Sequence, residues 1–137
     1  MAFRERYRVG FDARTNRRDG PDDAETYSVT LGANRIGGSR VNAHTRSTRY
    51  TNDTLEGWLH VVDVGIAMGR RSYLRLEGGV RDETNLTDVV PDQSQQWFGV
   101  ETELALGRQW YVLVALERTD GDLDQVDQLY ARLTYRF

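Results

Sequence analysis

The chain has 137 residues, enough for one domain with a single core, and it contains no cysteine, which removes disulfide frameworks and thiolate metal sites. A formal net charge of -3 argues against a nucleic-acid binder that works by neutralising phosphates. All 18 basic residues are arginine, a planar and permanently charged group suited to a crowded polar interior, and no run approaches the ~18 apolar residues of a membrane helix.

The opening stretch MAFRERYRVG places three arginines where the apolar part of a secretory leader would stand, so an exported chain is expected here in its mature form or with a start methionine added. From there helical periodicity is poor and two-residue alternation is widespread. Eight alternating segments are expected as strands, over 3–14, 26–35, 40–50, 57–68, 72–82, 96–106, 109–118 and 128–137. The first carries Phe3, Tyr7, Val9, Phe11 and Ala13 on one face, with Glu5 as an exception, and the second Tyr27, Val29, Leu31 and Ala33. The third is weakest, since Val41 and Ala43 give way to Thr45 and Ser47. The fourth shows Trp58, Val62, Val64, Ile66 and Met68, and the fifth Leu74, Leu76 and Val80. Phe98, Val100, Leu104 and Leu106 mark the sixth, Trp110, Val112, Val114 and Leu116 the seventh, and Leu129, Ala131, Leu133, Tyr135 and Phe137 the last. Each segment is close to the ~9–11 residues with which a tilted strand crosses a bilayer.

The connections alternate. IGGS, GRRS and GRQ read as tight turns, while RRDGPDDAE, TNDTLE, ETNLTDVVPDQSQ and TDGDLDQVD read as longer polar loops. An up-and-down meander then gathers the tight turns at one end and the long loops at the other. Fourteen of the 21 acidic residues lie in or beside the loops, whereas the turns carry arginine and no acid. DVGIAMGRRSYLRL and ETELALGRQWYVLV also match at an offset of 38, pairing Gly69 with Gly107 and Tyr73 with Tyr111. That offset is one hairpin with its loop, a unit whose repetition extends an antiparallel sheet.

Alternation does not say which face is inside: a soluble barrel buries its apolar face, and a membrane barrel turns it to lipid. The opposite face holds charges of both signs, among them Arg75, Glu77, Glu101, Glu103, Arg132 and Arg136, read as a lumenal ion-paired network that fills the bore. Aromatic residues gather near segment ends, including Trp58, Tyr73, Trp110, Tyr135 and Phe137, as girdles at two bilayer interfaces would require. Val62, Val64, Ile66, Leu74, Leu76, Val100, Leu104, Val112, Val114, Leu133 and Tyr135 are then expected to face lipid.

The final stretch LYARLTYRF, apolar at every second position and ending on Phe137, resembles the C-terminal signature of bacterial outer-membrane β-barrel proteins. The resemblance implies an eight-stranded antiparallel up-and-down transmembrane barrel over residues 1–137, its first strand closing on its last. It also implies an outer-membrane location, recognition of the last strand by the outer-membrane assembly machinery, and a monomer in the lipid bilayer. The expected role is structural or surface-binding, without enzymatic activity or cofactor and without stable open-pore current. Two alternatives remain: a pore (a larger porin of which this is the C-terminal part, or an engineered derivative), and a soluble barrel holding an apolar ligand.

Chemistry-bearing motifs are few. His44 and Ser47 lie close in sequence but in opposite strand phase, so they are not expected to meet, and His60 shares its phase with Trp58 and Val62. Asp120, Asp122 and Asp124 occupy the first, third and fifth positions of a calcium-loop pattern, yet Gln125 and Ala131 stand where its glycine and closing glutamate belong. A diffuse attraction for divalent cations, such as those among lipopolysaccharide phosphates, is the expectation for these loops, with no specific metal site. No P-loop, dinucleotide fingerprint or triad spacing appears.

Overall fold

Each of the eight alternating stretches forms a strand, because a two-residue period sorts apolar and polar side chains onto opposite sides of a pleat. The computed structural model describes residues 6–16, 24–36, 39–69, 71–87, 91–122 and 125–136. Its strands are β1 (Arg6–Asn16), β2 (Ala24–Asn34), β3 (Val41–Thr51), β4 (Leu55–Ala67), β5 (Tyr73–Asn85), β6 (Gln93–Leu106), β7 (Trp110–Gly121) and β8 (Gln125–Tyr135). They form one antiparallel sheet in chain order, with no helix among the described residues. No ladder joins β8 to β1 among those residues, so these two strands are the edges of the sheet.

The register carries the two faces across all eight strands without a slip. One row on the apolar face reads Ala43, Val64, Leu76, Val100, Leu116 and Leu129. The neighbouring row on the polar face reads Arg8, Gly32, His44, Asp63, Glu77, Gly99, Glu117 and Gln128. Since a slip of one residue would exchange the faces, this agreement between pattern and pairing fixes the register.

The expected contrast between short turns and long loops holds only in part. β6 and β7 are joined by the tight 107–109, and β1–β2 and β5–β6 by the longer 17–23 and 86–92. β3 and β4, however, are joined only by residues 52–54 and β7 and β8 by 122–124, while the other connections expected to be tight span 35–40 and 68–72. Ladder hydrogen bonds belong to the backbone and do not stop where apolar alternation fades. The strands therefore continue into the acidic stretches, and Glu25, Glu56, Asp82, Glu83, Asp120 and Asp127 lie within them. Asn52 closes one turn with its side chain, its Oδ1 accepting from the amides of Thr54 at 3.0 Å and Leu55 at 2.7 Å. What separates the two ends of the sheet is charge.

The internal repeat is structural. Gly69 and Gly107 both adopt positive φ, at 127° and 92°, which an L side chain resists and which turns β4 into β5 and β6 into β7. Ala67 pairs with Tyr73 as Ala105 pairs with Tyr111. The guanidinium Nη1 of Arg71 donates to the Arg108 carbonyl at 3.1 Å, tying the two turns together.

Burial runs against the soluble pattern. Ser28, Gly32, Thr48, Gly57, Tyr111 and Leu113 are buried, and every one of them belongs to the polar face. Large apolar side chains on the other face stand exposed, with Phe11 at 71%, Phe98 at 57% and Leu129 at 71%. A water-soluble sheet of this size would cover that face, because water-exposed apolar patches on monomers rarely exceed a few hundred Å².

Candidate functional site

The polar face carries three side-chain clusters, two of them seated where glycines leave room. Near the acidic end, the Tyr50 ring of β3 lies over Gly57 of β4, where an added methyl would come within 2.5 Å of the ring. The glycine lets Tyr50 cross β4 entirely, and its hydroxyl donates to Glu83 of β5 at 2.6 Å. Arg81 completes the group, pairing with Glu83 and donating from Nε to the Tyr50 hydroxyl at 3.2 Å. Tyr50→Phe removes the hydrogen bond to an ionised partner and is expected to cost about 1–2 kcal/mol, read from the midpoint of urea unfolding in a detergent or lipid system that holds the fold.

In the middle, Arg75 bridges Asp63 and Glu77, the latter at 2.8 Å. His44 Nδ1 stands 3.7 Å from Asp63, with its ring packed over Gly32. Trp97 covers Gly79 in the same manner. At the opposite end, the Tyr73 hydroxyl donates to Glu101 at 2.5 Å. There Arg136 reaches Glu103 at 3.6 Å while its guanidinium lies over the Tyr111 ring at 4.2 Å. Glycine in a strand interior is the sequence signal for such seats, since it marks a close approach from a neighbour.

Five of the six residues expected in the charged network, Arg75, Glu77, Glu101, Glu103 and Arg136, join these clusters. The sixth, Arg132, lies on the same face, in the row of Tyr73, Glu103 and Leu113. Tyr73 corrects the expected aromatic girdle, because its strand phase puts it on the polar face beside Glu101. Trp58, Trp110 and Tyr135 are on the apolar face, with Trp110 and Tyr135 in a tilted ring contact at 4.9 Å. Phe137 lies outside the described residues. The side-chain pairs seen lie within one strand, as Arg75 with Glu77 and Arg81 with Glu83, between neighbouring strands, or one strand further where a glycine or an aromatic ring permits it. A bore filled by pairs reaching across from wall to wall is not seen among the described residues.

The histidine and serine expected to miss each other do so, yet each serine or histidine finds a different neighbour. Ser47 stands opposite His60 on the apolar face, its Oγ 2.8 Å from His60 Nδ1. The His60 ring is stacked on Trp58 at 5.8 Å between centroids, and Arg49 lies over that indole at 5.7 Å. A serine hydroxyl on an imidazole is the start of a nucleophile–base unit. Among the described residues no carboxylate is bonded to His60, so the pair lacks the third group that would orient the base.

Asp120 sits on the apolar face of β7, and Asp122 accepts from the Ser94 amide at 2.6 Å; Asp124 lies outside the described residues. No group of three or more potential metal ligands converges among the described residues. Compared with protein-family models, with curated proteins and with solved structures, the chain finds no match.

Proposed function

We propose that the chain forms the membrane-spanning wall of a bacterial outer-membrane β-barrel, with its apolar face in lipid, its polar face lining the interior and its acidic end outside the cell. One observation carries this reading: the exposed face of the sheet is the apolar one, and the buried residues lie on the charged face. Lipid is the solvent that suits such an arrangement, because the antiparallel ladders pair strand with strand and the apolar face carries most of the exposed large apolar side chains. The apolar positions of β6 run from Phe98 to Leu106. That is roughly 27 Å along the strand, or roughly 20 Å after a ~40° tilt, against a ~25 Å lipid-facing band. The role is structural or surface-binding, with neither cofactor nor enzymatic activity, and the C-terminal strand is the part offered to the assembly machinery.

In this reading β1 closes on β8 and the protein is a monomer. Folding into vesicles should give a heat-modifiable, protease-protected species with no steady conductance in a planar bilayer. Failure to enter vesicles would remove the proposal.

A second reading, the wall of a wider barrel and hence a pore, is favoured by the edges. β1 bears Arg6, Arg8 and Arg14 on its polar face against a single Asp12, and β8 with its C-terminal extension bears Arg132 and Arg136 with no acid. Direct closure sets arginines beside arginines, and like charges across a ladder are destabilising. Further strands between the two edges would relieve this. Uniform, ion-selective current steps from a species heavier than one chain would put this reading first.

A further inference from the structure

Among the described residues, the apolar face carries no charge from the row of Val64 down to the turns, and its last rows there read Leu104, Val112, Leu133 and then Leu106, Trp110, Tyr135. Beyond them stand Arg35 and Arg40 between β2 and β3, Arg71 between β4 and β5, and Arg108 between β6 and β7, all exposed. These three connections contain no acidic residue. Arg40, Arg71 and Arg108 enter no ion pair among the described residues. The Ala67 amide donates to the Arg40 carbonyl at 3.0 Å, and the Arg71 guanidinium to the Arg108 carbonyl at 3.1 Å, so neighbouring turns are tied into one rim. Arg35 holds φ at 57°, the one positive value at a non-glycine position among the described residues, where glycine or asparagine would sit with less strain. Exposed apolar side chains are interleaved with these cations, Ile36 at 39%, Met68 at 45% and Leu106 at 57%.

We propose that this rim docks net-negative phospholipids of the leaflet that faces the periplasm. The proposal rests on the membrane reading above, which puts the acidic end outside the cell, and it names the lipid class met at the other end. A soluble polyanion would answer the arginines and leave Ile36, Met68 and Leu106 in water. A lipid with net negative charge answers both, its chains against the apolar side chains and its phosphate on a guanidinium. Depth agrees, since Arg108 lies just before Trp110, and the Trp110–Tyr135 pair is of the kind that sits at headgroup level. Because the rim holds charge of one sign, it selects by net charge and not by the phosphate that all phospholipids share. The ammonium of a zwitterionic lipid cancels its own phosphate and meets the same arginines, whereas phosphatidylglycerol has no such group. At the far end of the same face stand Glu56, Asp120 and Asp127, so the preference is confined to one leaflet.

The test uses the whole chain folded into phosphatidylcholine vesicles that carry a trace of nitroxide-labelled phosphatidylglycerol or nitroxide-labelled phosphatidylcholine. The motionally restricted fraction of each label gives its association with the protein. One arginine at headgroup depth favours a net-negative lipid about fivefold. Averaged with the opposite leaflet, a ratio of roughly three is expected. In about 1 M salt it should fall to near one. Arg71→Gln with Arg108→Gln should bring the same fall at low salt, while Arg71→Lys with Arg108→Lys should keep most of the preference. Arg40→Gln, which leaves the tie between those two turns intact, should lower the ratio in part. Arg118→Gln, at the acidic end, should leave it unchanged. Equal association of the two lipids, a preference indifferent to salt or to the rim substitutions, or an equal loss from Arg118→Gln overturns the rim proposal and leaves the membrane reading standing. Binding of soluble polyphosphate without any lipid preference also overturns it, and gives the rim a soluble partner. A protein that never enters the vesicles overturns both.

Discussion

Arginine in place of Val64 is expected to lower folding stability in a bilayer by ~2–4 kcal/mol, the cost of a charged side chain near the midplane of a lipid-facing strand. Val64 stands between Ala43 and Leu76 in the row Ala43, Val64, Leu76, Val100, Leu116, Leu129, with further apolar rows toward the arginine-bearing turns. The adjacent residue supplies the control. Gly65 faces the polar side, and a Cβ there meets nothing within 4 Å. Gly65→Ser should be neutral or stabilising by up to ~1 kcal/mol, through the entropy a strand glycine loses on folding. Urea titrations in lipid vesicles measure both. Equal, small effects at the two positions would mean that the faces see the same solvent, and the membrane reading would fail.

The second large effect is expected at the glycine seats. Gly79→Ala would push a methyl into the Trp97 indole and toward the His60 carbonyl oxygen. The carbonyl belongs to the ladder and cannot move aside cheaply, so the expected cost is about 1–3 kcal/mol. The ring can move, so Trp97→Ala combined with Gly79→Ala should cost less than the sum of the two single changes, by ~0.5 kcal/mol or more. Strict additivity in this cycle would show that the indole does not rest on Gly79. Gly57→Ala should behave similarly through Tyr50, with the loss of the Glu83 hydrogen bond added.

The strands were legible in the sequence because period-two alternation is a direct consequence of the pleat, and the weak third segment followed its neighbours once Ala43 and Thr45 had partners in Val64 and Val62. Strand ends were not legible, because ladders use backbone groups and pass through Glu25, Asp82 or Asp127 without needing an apolar side chain. Tyr73 was misjudged for a related reason: proximity to a strand end suggested a girdle, while its phase set it beside Glu101. The meeting of Ser47 with His60 depends on register between two strands, which no local spacing encodes. Gly32, Gly57 and Gly79 were in view as glycines, but their partners His44, Tyr50 and Trp97 are fixed only by pairing.

The central claim, that the apolar face meets lipid and the charged face water, is tested most directly at two adjacent residues of β7. Leu116 lies in the apolar row and Glu117 in the polar row. The absence of native cysteine allows a single nitroxide label at either position. In vesicles, the label at 116 should be relaxed by oxygen dissolved in the bilayer and shielded from a water-soluble nickel complex, and the label at 117 should show the reverse. Nickel access at 116 equal to or greater than that at 117 would contradict the account.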